Sequence, residues 1–139
     1  MRLLMHLAQH PDRLCTIAEV AQHHGISHAH LMKITHQLAK GGWIHTQRGK
    51  NGGMQLAKPS QDINLGALVR YMENDLALVE CLGDSSQCVL SGRCTLSHIL
   101  DQALQQFLAH LDQYSLADLL PALTRTGSSE QAIQILSRL

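Results

Sequence analysis

Cys81, Cys88 and Cys94 stand in one short polar stretch of a 139-residue chain, in the pattern Cys-x6-Cys-x5-Cys, directly ahead of an apolar-periodic segment. Thiolates gathered so closely hold soft or borderline metals, and with inorganic sulfide they hold iron–sulfur clusters. The spacing is unlike the Cys-x2-Cys pairs of structural zinc sites. A cluster needs four ligand positions, so three local thiols leave one to be completed by His98, Asp84, Glu80, a residue of a second subunit or an external molecule. That arrangement leaves one iron reactive. A rival chemistry would use the same cysteines for zinc binding or thiol oxidation. An enzymatic pairing of Cys88 or Cys94 with His98 is disfavoured, because no oxyanion site, phosphate loop or third orienting group accompanies it.

The size fits one domain, or a small domain with a dimerisation arm. No run approaches the ~18 apolar residues of a membrane span. Met1-Arg2-Leu3-Leu4-Met5 leads into His6 and polar residues instead of a signal-peptide core, which points to a cytoplasmic protein with no membrane partner. In that reducing compartment cysteines are not expected to form structural disulfides, and the isolated Cys15 reads as a small buried residue.

The net charge of zero hides an asymmetry. Between Val20 and Gln61 there is no Asp or Glu, while Lys33, Lys40, Arg48, Lys50 and Lys58 give that stretch +5 and leave the remainder at −5. Six of the ten histidines fall in it as well. A neutral chain with one basic region and one acidic region suits a nucleic-acid reader joined to a separate effector or dimer module.

The elements that would position these groups are marked by local signals. Leu3, Leu4, Leu7 and Ala8 place an apolar face on a first helix ending near His10-Pro11-Asp12. Thr16 and Glu19 form a capping box for a second helix, which Gly25 stops in the left-handed conformation. Ser27 caps a third helix, His28 to about Lys40, burying Leu31, Ile34 and Leu38 and leaving Ser27, His28, His30, Lys33, Gln37 and Lys40 largely free. Two helices joined by a short Gly-containing turn have the helix-turn-helix form, whose second helix enters the major groove. Strands over Trp43–Gln47 and Met54–Ala57 then flank the tip Arg48-Gly49-Lys50-Asn51-Gly52-Gly53. That hairpin is a wing whose glycines let backbone approach a phosphate or enter a minor groove.

Asn64 to Met72 reads as a helix through Leu65, Leu68, Val69 and Met72, and residues 74–87 read as loop. From Thr95 or Ser97 a long helix carries Leu96, Leu100, Ala103, Leu104, Phe107, Leu108 and Leu111 on one stripe; its 100, 104, 107, 111 spacing suits either a core face or a seam against a second subunit. A homodimer is expected, because two recognition helices related by a two-fold axis read a palindrome. Ser115 with Asp118 starts a last short helix. The expected fold is mainly α with a small β-hairpin wing. Residues 1–73 form a winged helix-turn-helix DNA-binding domain, 74–95 a cysteine cluster-binding loop, and 96–139 a dimerisation helix and C-terminal tail. Groove contacts are assigned to Ser27, His28, His30 and Lys33, and backbone or minor-groove contacts to Lys40, Arg48, Lys50 and Asn51.

The chain resembles the NsrR/IscR family of winged-helix iron–sulfur repressors over most of its length, to about Leu120. The resemblance is carried by Ile17-Ala18-Glu19-Val20-Ala21, Leu31-Met32-Lys33, Leu38-Ala39-Lys40-Gly41-Gly42, the wing from Arg48 to Leu56, and Val79-Glu80-Cys81 through Cys88 to Cys94. Residues 103–107 and 111–119 resemble the nitric-oxide-sensing members more than the cluster-assembly regulators. The latter carry a His three positions after the third Cys, where this chain has Ser97 and places His98 one position late. The resemblance implies an iron–sulfur cluster on Cys81, Cys88 and Cys94, [4Fe–4S] in preference to [2Fe–2S], and a homodimer that represses by binding a double-stranded DNA operator. It implies nitric oxide as the effector, with cluster modification releasing DNA; a cluster-status regulator is the alternative. Nitric-oxide-sensing members ordinarily begin earlier and take a fourth ligand from an Asp in the first helix. This chain opens at Met1-Arg2-Leu3-Leu4 without it, so a shortened start or a different fourth ligand is expected.

Overall fold

A computed structural model describes residues 1–73, 76 and 94–120. Among these, helices α1 (Arg2–Ala8), α2 (Ile17–His24), α3 (His28–Lys40), α4 (Leu65–Met72) and α5 (Thr95–Leu111) accompany one antiparallel hairpin, β1 (Ile44–Gln47) with β2 (Gly53–Leu56). Short 3-10 turns lie at Ser60–Asp62 and Leu116–Leu119. Helix-turn-helix followed by this hairpin is a winged helix. None of the described helices is long and apolar enough to cross a membrane.

The starts of α2, α3 and α4 are each fixed by a nearby side chain. Thr16 accepts a hydrogen bond from Glu19 N at 3.1 Å, Ser27 one from His30 N at 3.1 Å, and Asn64 one from Ala67 N at 2.9 Å. Ser115 and Asp118 complete a reciprocal capping box. Gly25 closes α2 at φ 61°, a conformation for which a side chain would be strained.

The chain packs as two compact units. One comprises residues 1–63 with the segment from Ser115, the other residues 64–114. The core of the first holds Leu3, Leu4, Leu7, Cys15, Val20, Leu31, Leu38, Ile44, Met54, Ile63 and Leu116. Two departures from the expected pattern occur here. Ile34 is only half-buried while its neighbour Thr35 is buried, and the Thr35 hydroxyl meets Met54 Sδ at 3.7 Å. His6, between apolar neighbours on α1, is buried with them.

The hairpin pairs Ile44 with Leu56, His45 with Gln55, Thr46 with Met54 and Gln47 with Gly53. β1 starts one residue later than expected, after Trp43, and β2 is shifted one residue toward the N-terminus, taking in Gly53 and ending before Ala57. Trp43 N–H bonds the Leu38 carbonyl at 3.0 Å, finishing α3, while Ala57 N–H bonds the Trp43 carbonyl at 3.0 Å below the ladder. Lys58 Nζ lies 5.6 Å from the Trp43 ring centroid, a cation–π contact at the hairpin base.

In the second unit α4 and α5 are joined at one end. Asn64 Nδ2 donates to the Asp112 carbonyl at 2.7 Å, and Arg70 pairs with both Asp112 oxygens at 2.6 and 2.8 Å. Gly66 permits this approach, because a Cβ there would lie 2.0 Å from Asp112 Oδ1. On the α5 stripe Leu108 is buried, but Leu96 and Phe107 are 59% and 52% exposed, as is the neighbouring Ile99 at 55%, so part of the apolar surface of α5 lacks cover among the described residues.

Two stability measurements follow. Asn64→Ala removes the α4 cap and the tie to α5, and a loss of about 1 kcal/mol is expected in urea unfolding. Arg13 grips Glu19 through both guanidinium nitrogens and lowers its carboxyl from 4.5 to about 2. Because the folded value is the depressed one, this contribution is present above the unfolded value and disappears as pH falls from about 4.5 to about 2. The thermal midpoint of Arg13→Ala should therefore lie below the wild type near neutrality and converge on it through that acid window.

Candidate nucleic-acid interface and cysteine centre

The predicted reading residues belong to one unit. His28, His30 and Lys33 on α3 are exposed, as are the α3 cap Ser27 and the last-turn Lys40. Ser27 spends its hydroxyl as an acceptor for His30 N–H, so the start of the recognition helix is locally ordered. Met32, 52% exposed, adds an apolar side chain to this surface; sequence reasoning assigned it no role.

On the wing, Arg48, Lys50 and Asn51 are exposed at the tip. Their turn depends on glycine at two places. Gly49 has φ 111°, and a Cβ on Gly52 would lie 2.3 Å from the Gln47 carbonyl oxygen. Gly52 N–H bonds the Gly49 carbonyl at 2.9 Å, closing the turn so that three polar side chains project from a short loop. The base of the wing is fixed on its other side by reciprocal backbone bonds between Cys15 and Met54, 3.0 and 2.9 Å.

No acidic residue lies between Val20 and Gln61, and the neighbouring Glu19 is already held by Arg13. The residues of α3 and the wing thus present cations and hydrogen-bond donors and contribute no carboxylate of their own to repel phosphate. Side chains of this kind, on a second helix and a glycine-rich hairpin, provide both groove and backbone contacts.

Of the predicted cluster ligands, Cys81 and Cys88 lie outside the described residues, as do Glu80, Asp84, the predicted loop apart from residues 76, 94 and 95, and the tail after Leu120. Cys94 is described: a free, half-buried thiol at the N-cap of α5 that makes no side-chain capping bond. Its carbonyl accepts a hydrogen bond from Ser97 at 2.7 Å, which occupies the Ser97 hydroxyl. The His98 Nε2 is 3.2 Å from Gln102 Nε2 in an exposed pair. An uncommitted thiol beside the positive end of a helix suits an anionic thiolate-ligated cluster, so Cys94 fits the role.

Cys15 differs. It is fully buried beneath the wing, and burial pushes its thiol up. Sequence reasoning placed it correctly in the core but gave no sign of its backbone pairing with Met54. A second constellation it missed is histidine-rich: His6, His23 and His24 come together, as do His6, His10 and Cys15. The signals available were the i, i+4 pair His6/His10 and the doublet His23-His24.

Comparison with known proteins agrees with this architecture. The model of the Rrf2 family, described as an iron-dependent transcriptional regulator, matches residues 1–122. The HTH-type transcriptional regulator NsrR of Halalkalibacterium halodurans is 44% identical over 122 residues, covering 86% of this chain and 84% of the relative. NsrR of Bacillus subtilis is 41% identical over 121 residues, 86% and 83% of the two chains. Among solved structures, T. potens IscR matches with a TM-score of 0.69 at 24% identity, over 88% of this chain and 80% of that one. CymR, the global cysteine regulator of B. subtilis, matches with a TM-score of 0.63 at 24% identity, over 87% and 89%. These two likenesses concern the fold. The chain belongs to the Rrf2 family of iron-dependent transcriptional regulators, DNA-binding proteins that are not enzymes.

Proposed function

We propose that this protein is a homodimeric, cytoplasmic repressor whose operator affinity is set by an iron–sulfur cluster and falls on exposure to nitric oxide. The observation that carries the reading is the pairing of an acid-free, exposed α3 and wing with a free Cys94 thiol at the entry to α5. The resemblance to nitric-oxide-sensing repressors supplies the effector. Residues 1–73 act as the reader, 74–95 as the cluster loop and 96–139 as the dimer arm and tail.

Ser27, His28, His30 and Lys33 serve the major groove, while Lys40, Arg48, Lys50 and Asn51 hold phosphate or enter the minor groove. Exposed Leu96, Ile99 and Phe107 on α5 support a second copy of the chain as the cover for that stripe. Cys81, Cys88 and Cys94 would hold the cluster, [4Fe–4S] in preference to [2Fe–2S]. When bound, it supplies iron that reacts with nitric oxide. The three thiolates restrain the segment that runs into α5, and losing that restraint alters how the dimer presents two reading helices to two half-sites.

Anaerobic purification with iron and acid-labile sulfide analysis tests the cofactor; colourless, sulfide-free material would rule it out and leave zinc or thiol oxidation on the same cysteines. Nitric oxide added to the cluster-bearing protein should weaken operator binding ~5- to 150-fold, the span of a 1–3 kcal/mol coupling. An unchanged affinity would refute the effector. With ~5 phosphate contacts per subunit, log affinity should fall with log salt at a slope near −9 for the dimer, and Lys50→Ala should make that slope shallower by about 2. A flat response would contradict the assigned cationic contacts.

A further inference from the structure

His6 is buried, 3% exposed, yet neither ring nitrogen has a hydrogen-bond partner among the described residues. Buried ring nitrogens without a hydrogen bond are costly, and a buried polar group left this way calls for an explanation. The half-buried His24 also has an unpartnered Nε2. With the exposed His23, these side chains each offer one donor atom, and the three donors lie within 4.8 Å of one another. Ring centroids are 5.1 Å apart for His6–His23, 5.4 Å for His6–His24 and 4.7 Å for His23–His24.

We propose that His6, His23 and His24 form a binding site for a zinc-class divalent ion that uses none of the cysteines. Neutral imidazole suits zinc and its first-row neighbours, whereas magnesium and calcium take oxygen donors. A tetrahedral zinc ion with bonds of about 2.0–2.1 Å needs its donors about 3.4 Å apart, so small ring rotations close the triad. Three protein ligands leave a fourth position for water, and the triad opens on a cavity of about 460 Å³ also lined by Arg2, Met5 and Gln9. Glu19 Oε1 stands 3.6 Å from His6 Nε2, so a carboxylate of the kind that commonly supports metal-binding histidines lies close to that ring. The alternative group His6, His10 and Cys15 is less suited. The His10 Nδ1 already meets the His6 carbonyl at 2.9 Å, and Cys15 is fully buried with its thiol pushed up. An ion on the triad clamps α1 to the last turn of α2, immediately before the Gly25 turn into α3.

The test is calorimetric titration of zinc ion into the tag-free, chelator-stripped full chain under reducing, anaerobic conditions. His23→Ala/His24→Ala should lower the wild-type stoichiometry by one ion. In a Cys81→Ser/Cys88→Ser/Cys94→Ser background one ion should still bind and raise the thermal midpoint, and adding the double His substitution should weaken it at least ~100-fold, beyond the ~10- to 100-fold cost of losing a supporting group. The surface substitution His23→Ala alone should weaken it at least ~10-fold, while His10→Ala should leave it unchanged. Unaltered stoichiometry and affinity in the His variants, or loss of binding on His10→Ala instead, would overturn the assignment.

Discussion

The reader is held together at Met54. Its backbone bonds Cys15 in both directions, its strand pairs with β1 on the opposite edge, and its buried side chain meets the hydroxyl of Thr35 on α3. One residue therefore connects the segment leading into α2, the recognition helix and the wing. Burial of a side chain of this size contributes about 1.5–3 kcal/mol, and each backbone bond a net ~0.5–1.5 kcal/mol. Gly53 is the corollary: a Cβ there would lie 2.8 Å from the Cys15 carbonyl oxygen, so the close passage of the two backbones excludes a side chain.

This arrangement explains which parts of the fold were legible from sequence. Helix starts at Thr16, Ser27 and Asn64 rest on bonds spanning three residues, and such signals are visible in a short window. The wing was readable for a similar reason, since Gly49 and Gly52 answer to the geometry of their own turn. The Cys15–Met54 pairing joins distant parts of the chain and leaves no local trace. Thr35 and His6 were misleading because each carries polar atoms at a helical position that tertiary packing encloses. For the candidate sites, charge patterning marked the exposed cations of α3 and the wing. It could not show that His6, His23 and His24 converge, because that depends on how α1 meets α2.

The second unit shows a division of labour along α5. Its C-terminal end is anchored to α4 by Asn64, Arg70 and Asp112, with Gly66 providing the space. Toward its N-terminal end, Leu96 and Ile99 stand exposed close to Cys94. Exposed apolar side chains and a free thiol at the same end of a helix place two association chemistries within a few residues. The periodicity of α5 alone could not decide between core and seam; exposure of Leu96 and Phe107 shows that part of the stripe is left uncovered among the described residues.

Cys15 gives the protein an internal standard for thiol chemistry. Fully enclosed and with its thiolate disfavoured, it resists alkylation as long as the wing stays docked. A reagent applied to the native protein thus distinguishes this sulfur from the half-buried Cys94, and the delayed modification of Cys15 clocks the opening of the reader's interior.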